Sequence, residues 1–215
     1  MGDAPDWAVT THEWAAPVDT DHLAHIRDNA ATYARGGLRH LILEVLAYAD
    51  EEAEATGRVA TVVVTMRGDG SVSVADDGRG TDTRRTPEGR IIRKPVMSTR
   101  DVRFFDASVR PLLPDGIPRW GISIVAALST TLTHENRRTT GSWMQSYHHG
   151  VPATELLERA GGSSTGTTVT FTPDDAVDTH EALQPADLSA FRSCASRSSA
   201  SATDVRSSDD ARSAA

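Results

Sequence analysis

The most constraining stretch of the chain runs from Leu38 to Gly80, where a helical period gives way to a strand period and then to a glycine-rich turn. Leu38, Leu41, Ile42, Val45, Leu46 and Ala49 recur at i, i+3, i+4 and i+7, the spacing of one buried helix face. Gly57 predicts the end of that helix. Ala60 to Met66 is rich in β-branched residues, Gly68-Asp69-Gly70 reads as a tight turn, and Ser71 to Ala75 returns as a second strand. Asp76-Asp77-Gly78-Arg79-Gly80 follows as a loop. An apolar helix face beside a hairpin finds its burial by lying on that hairpin, so the stretch already asks for helices layered on a sheet.

The rest of the chain extends the same plan. Residues 1–20 carry two tryptophans and two prolines without periodicity and are expected to form an arm. A first helix is predicted over about 21–34, separated from the second by Gly36-Gly37. Residues 81–118 hold seven arginines and five prolines, and a connection of that length inside a compact domain is usually functional. Trp120 to Leu132 reads as helix, with Ile124, Ala127 and Leu128 on one side, and strands are expected near 132–138, 142–149 and 166–172. The order ααββ, loop, αβββ gives an α+β class, an antiparallel-rich sheet covered on one face by helices. The domain is expected over 21–178. Residues 179–215, dominated by Ser, Ala and Arg from Pro185, are expected to form a disordered tail.

Length and charge narrow the function. A chain of 215 residues fits one domain with ragged ends. No apolar run approaches the roughly 18 residues of a membrane span, and Met1 to Val9 lacks the pattern of a signal peptide, so a cytoplasmic protein is expected. One cysteine, Cys194, excludes an intrachain disulfide and a cysteine-based zinc site. A net charge of −8 argues against DNA binding by this chain alone, although 84–110 is locally basic. Lys94 is the single lysine, so chemistry that relies on a mobile ammonium has one candidate. His148-His149 reads as structural rather than as a metal pair, because neighbours on a strand point to opposite faces.

Three segments carry candidate chemistry. Glu44 lies on the flank of the 38–49 stripe, with Tyr48 and Glu52 at i+4 and i+8, and a carboxylate half out of the core can orient a water for attack on a phosphate. Asp76, at a strand end before a Gly-x-Gly turn, can accept a hydrogen bond from an exocyclic amine such as that of adenine. Thr165-Gly166-Thr167 introduces the strand Val169 to Phe171 and can bring hydroxyls to the same place.

Taken in order, the segments Leu38–Val45, Val72–Gly80, Ile122–Ser129, Tyr147–Pro152 and Thr165–Thr167 closely resemble the ATP-binding domain of gyrase B and its topoisomerase relatives, in the GHKL ATPase class. The resemblance covers about residues 35–175 and implies the GHKL two-layer sandwich. It also implies ATP as cofactor, with Mg²⁺ beside it. On it, Glu44 matches the general base and Asp76 the acid that reads the adenine amino group. Gly78 and Gly80 shape that pocket, Arg79 and Arg138 line it, and Thr167 supports the Asp76 contact through water. Gly121 matches the last glycine of the phosphate-covering lid, and Glu52 an acid that holds Arg79. Thr165 and Tyr48 stand beside them as supporting positions.

Departures from the pattern are confined largely to the phosphate half. Tyr48 stands where the resemblance calls for the asparagine that holds Mg²⁺, and a phenol is a poor ligand for that ion. The lid reads Gly116-Ile117-Pro118-Arg119-Trp120-Gly121. Pro118 there removes an N–H, Trp120 adds bulk, and Arg119 is a candidate direct phosphate contact. Asp82 replaces a proline beside the adenine pocket. The chain also shows neither the lysine-bearing transducer domain nor the DNA-cleavage domain of a topoisomerase, so strand passage is not expected from it alone. Two readings follow: an adenine-nucleotide-binding module with weak or no hydrolysis, or a non-catalytic interaction protein on the same fold, docking a protein partner through 84–110 or the tail.

Overall fold

The structure, a computed structural model, describes residues 17–89, 91–92 and 95–201. Of the expected arm over residues 1–20, residues 1–16 lie outside the described residues, as do Lys94 and residues 202–215, and Thr20 already belongs to the first helix. In chain order the elements are α1 (Thr20–Asp28), α2 (Ala30–Tyr33), α3 (Gly37–Thr56), β1 (Ala60–Arg67), β2 (Val72–Asp76), β3 (Arg84–Arg85), β4 (Ile91–Ile92), α4 (Val102–Phe105), α5 (Ile122–Ala127), β5 (Ser129–Arg137), β6 (Ser142–His148), β7 (Val151–Pro152), β8 (Leu157–Arg159), β9 (Gly166–Pro173), α6 (Pro185–Ala190) and β10 (Cys194–Ser201).

The central helix is α3, and its buried side chains form the middle of the core. Leu41, Ile42, Leu43 and Leu46 meet Val62, Val64, Val72, Val74, Val169 and Phe171 from the sheet, with Ile124, Val125 and Leu128 from α5 and its end. Burial of each such side chain contributes about 1.5–3 kcal/mol. Gly37 opens α3 in the left-handed region (φ 59°), where a Cβ would collide with the carbonyl of Asp178 that accepts from Leu38 N. Gly57 closes it, also left-handed at φ 63°, as the sequence predicts.

The main sheet runs β10-β1-β2-β9-β5-β6-β7, with β8 paired to β6. Neighbours are antiparallel except β10, which lies parallel to β1. The class is α+β, a mixed sheet with helices layered on it. This register matters for the site, because β2 and β9 pair Ala75 with Thr168 and so bring Asp76 beside Thr167.

Four expectations need correction. The helix from Trp120 is short: α5 ends at Ala127 and β5 already begins at Ser129, whose hydroxyl turns back to the Val125 carbonyl. The β-branched run Thr130-Thr131 favours strand from that point. The tail is partly ordered. Pro185–Ala190 is a helix with a reciprocal Gln184/Asp187 capping box, and β10 extends the sheet. Arg39 on α3 holds Asp187 through two hydrogen bonds of 2.9 and 2.8 Å, and Asp50 accepts from Ser193 N at 2.8 Å, so α3 pins this segment onto the sheet edge. Residues 84–110 contain the β3–β4 hairpin and α4 rather than loop alone. His149 sits in the turn after β6 at φ 46°, not on the strand.

Candidate functional site

Asp76 ends β2, and its carboxylate is fixed from two sides. Oδ1 accepts from Gly78 N at 2.8 Å, and Oδ2 accepts from Thr167 N at 3.2 Å and from the Thr167 hydroxyl directly. The link expected through water is therefore a direct contact in this structure. Gly166 (φ 129°) lets β9 approach so closely that any side chain there would strike the Asp76 carbonyl. Thr165 precedes the strand, partly buried.

Around Asp76 the predicted residues converge. Arg79 and Glu52 form a two-pronged pair at 2.5 and 3.0 Å, joining the turn to α3. Gly80 is left-handed (φ 80°) and wedged against Asn136 and the Arg137 carbonyl, where a Cβ would come within 2.6 Å. Arg138 donates to the Gly80 carbonyl at 3.0 Å and lies 3.8 Å from Asp82, so it braces the turn. Two residues that sequence reasoning passed over complete this half. Asn136 accepts from Thr81 N at 2.7 Å and returns a bond to the Thr81 carbonyl, and Arg137 reaches Thr168 Oγ1 at 2.8 Å and the Asp76 carbonyl at 3.3 Å. Their pairing opposite Thr167 and Gly166 comes from the β5–β9 register.

The other half is organised by Glu44, which is fully buried rather than half out of the core. Its flank is covered because the chain before α5 folds over it. Glu44 accepts from Trp120 N at 2.5 Å and from Gly121 N at 3.0 Å. Burial pushes its carboxyl above the ordinary range, against the pull of the Trp120 N–H, His40 and Arg119. His40 Nε2 lies 3.6 Å from Glu44, and His40 Nδ1 donates to Asp115 at 2.7 Å, an acid–imidazole–acid line inside the protein. Sequence reasoning missed His40 and Asp115 as site residues; the i, i+4 spacing of His40 and Glu44 was the available signal.

Arg119 is buried and does not project into open space. It pairs with both oxygens of Glu51, lies 3.7 Å from Glu44, and stacks over the rings of Tyr48 and Phe104 at 4.6 Å each. The expected direct phosphate contact is thus engaged by carboxylates. Tyr48 donates to Asp101 at 2.9 Å and accepts from Ile122 N at 3.3 Å. Burial pushes the Tyr48 phenol far up, so it stays neutral, and a neutral phenol already bonded on both sides does not fit Mg²⁺. Gly121 (φ 98°) caps α5, with Tyr48, Asp101 and Phe104 packed where a Cβ would be. The described residues contain no group of three or more His, Cys, Asp or Glu able to hold a metal ion.

Comparison with known proteins bears on this arrangement. The DNA gyrase B protein of Micrococcus luteus is 38% identical over 140 residues, 64% of this chain and 19% of the relative. That of Mycobacterium tuberculosis is 38% identical over 141 residues, 66% of this chain and 21% of the relative. The chain thus spans about a fifth of the length of these curated relatives. The 43K ATPase domain of Thermus thermophilus gyrase B, crystallised with an aminocoumarin, superposes with a TM-score of 0.58 at 28% identity, covering 78% of this chain and 43% of that one. The chain is similar to the gyrase B ATPase domain. The topoisomerase IV ATP-binding domain of Francisella tularensis shares the fold, with a TM-score of 0.63 at 22% identity over 83% of this chain and 50% of that one. No family model matches the chain. In this chain the Asp76 half brings the expected residues together. The Glu44 half brings them together as well, but bonded to one another.

Proposed function

We propose that the chain is an adenine-binding module of gyrase B type, with little or no ATP hydrolysis and no DNA strand passage of its own. The observation that carries the reading is the Asp76 carboxylate, oriented by Gly78 and Thr167 at the end of β2. An acid held in this way presents a lone pair to an exocyclic amine. Relationship to gyrase B supports adenine as the source of that amine. Glu44 matches the family's base, but it is fully buried and its oxygens already accept from Trp120 and Gly121, which opposes its orienting a water for attack. Without a fit for Mg²⁺ at Tyr48 the terminal phosphate charge goes largely unneutralised, and such stabilisation is the main source of rate in phosphoryl transfer.

The second reading, a non-catalytic interaction protein on this fold, is favoured by one observation: the ion pairs of Arg119 with Glu44 and Glu51. Calorimetry with ATP, ADP and a non-hydrolysable analogue, with and without Mg²⁺, combined with a phosphate-release assay, decides between them. The first reading expects saturable binding with negligible release. Absence of any adenine-nucleotide binding favours the second.

A further inference from the structure

We infer that the site takes adenine compounds through the nucleoside alone, because Glu44 occupies the place on the lid and α5 where phosphates would be held. The inference rests on the adenine reading above and specifies its ligand class. Phosphate binding at a glycine lid depends on backbone N–H groups left without partners at the start of a helix. Here the successive N–H groups are taken: Trp120 and Gly121 donate to the two oxygens of Glu44, and Ile122 donates to the Tyr48 hydroxyl. A carboxylate has the charge and two-oxygen geometry to satisfy donors that would otherwise meet a phosphate.

The neighbouring cation is also committed. Arg119 is buried, with both Glu51 oxygens on its guanidinium and Glu44 at 3.7 Å. The other charged groups around this spot are Asp115 on His40 and Asp101 on Arg103. A triphosphate arriving here meets bonded donors and several carboxylates. To enter, it must displace Glu44 from the Trp120 and Gly121 N–H groups, and a buried acid stripped of those donors is costly to accommodate. Adenine recognition at Asp76 requires none of this, since its partners belong to β2, the turn after it and β9.

The test is calorimetry on the full chain with adenosine, AMP, ADP and ATP, repeated with Asp76→Asn. The expected result is four affinities within about threefold of one another, all weakened by the substitution. ATP or ADP binding more than about tenfold tighter than adenosine overturns the inference and leaves the adenine reading standing. Failure of all four to bind overturns both. Glu44→Ala should free the lid N–H groups and raise the preference for ATP over adenosine about tenfold; a folded variant without that gain overturns the inference. Where the variant does not fold, as judged by circular dichroism, calorimetric titration of inorganic tripolyphosphate into the unmodified chain serves instead. No binding is expected, and saturable binding overturns the inference.

Discussion

The hydroxyl of Tyr48 stands 2.9 Å from Asp101 Oδ2 and joins α3 to the cap of α4. Although burial pushes Asp101 up, the hydrogen bonds and charge of Arg103, with the Tyr48 bond, hold its carboxyl below the usual range. A residue at the expected metal position has become a structural tie. Nucleotide affinity should therefore change little when Mg²⁺ is removed by chelation. Tyr48→Phe should destabilise the fold by about 1–3 kcal/mol in denaturant titration, the cost of leaving a buried carboxylate short of a donor. A strong metal requirement in the unmodified protein would show that other residues hold the ion.

Trp120 is fastened on its outer side. Its ring meets Tyr33 edge-on at 4.8 Å and Phe105 at 5.4 Å, and the Arg110 guanidinium lies over it at 3.9 Å. With its backbone on Glu44 as well, this lid lacks the freedom of a glycine lid to wrap a ligand. Sedimentation with a non-hydrolysable ATP analogue should give the same species as without it. A nucleotide-dependent dimer would return the protein to the behaviour of a working clamp.

His134, on β5, packs edge-on against Trp143, and burial lowers its imidazole to about 4. The folded state keeps it neutral while the unfolded chain protonates near 6.5. Its contribution to stability is complete above the unfolded value and falls as pH drops from about 6.5 toward 4, by on the order of 3 kcal/mol. Glu44, whose carboxyl is raised, works in the opposite direction, gaining stability as it protonates. Urea titrations of the unmodified chain and of His134→Gln between about pH 7 and pH 4.5 should therefore differ in slope, with the variant flatter. Parallel slopes would contradict the burial argument.

Sequence pattern carried the elements that make the core, because α3, β1, β2 and β9 each show one clear period and definite stops. It carried the Asp76 half of the site for a similar reason: Gly80 and Gly166 adopt positive φ, Gly78 lies against Asp76 Oδ1, and each leaves a glycine to be read. What it could not carry depends on contacts between distant segments. Glu44 sits on the flank of an apolar stripe, and only the chain before α5 folding over it makes it buried. Arg119 reads as a free cation until Glu51, on a different element, is found beside it. The 185–201 segment reads as compositionally disordered because Ser and Ala give a strand little apolar surface. Its order comes from Arg39 and Asp50, both on α3, and from the neighbouring β1. The Gln184–Asp187 capping box was the one local sign.

The proposed adenine recognition centres on Asp76, held between Gly78 N at 2.8 Å and Thr167 N at 3.2 Å. Asp76→Asn replaces one acceptor oxygen with a donor and removes the charge while leaving the size of the side chain. Loss of a charged hydrogen bond costs about 1.5–3 kcal/mol, roughly 10- to 100-fold in affinity. The direct measurement is ADP affinity by calorimetry for the unmodified chain and for Asp76→Asn, with circular dichroism showing both folded. A loss of at least about tenfold is predicted in the variant. Equal affinity in the two proteins would contradict adenine recognition by Asp76.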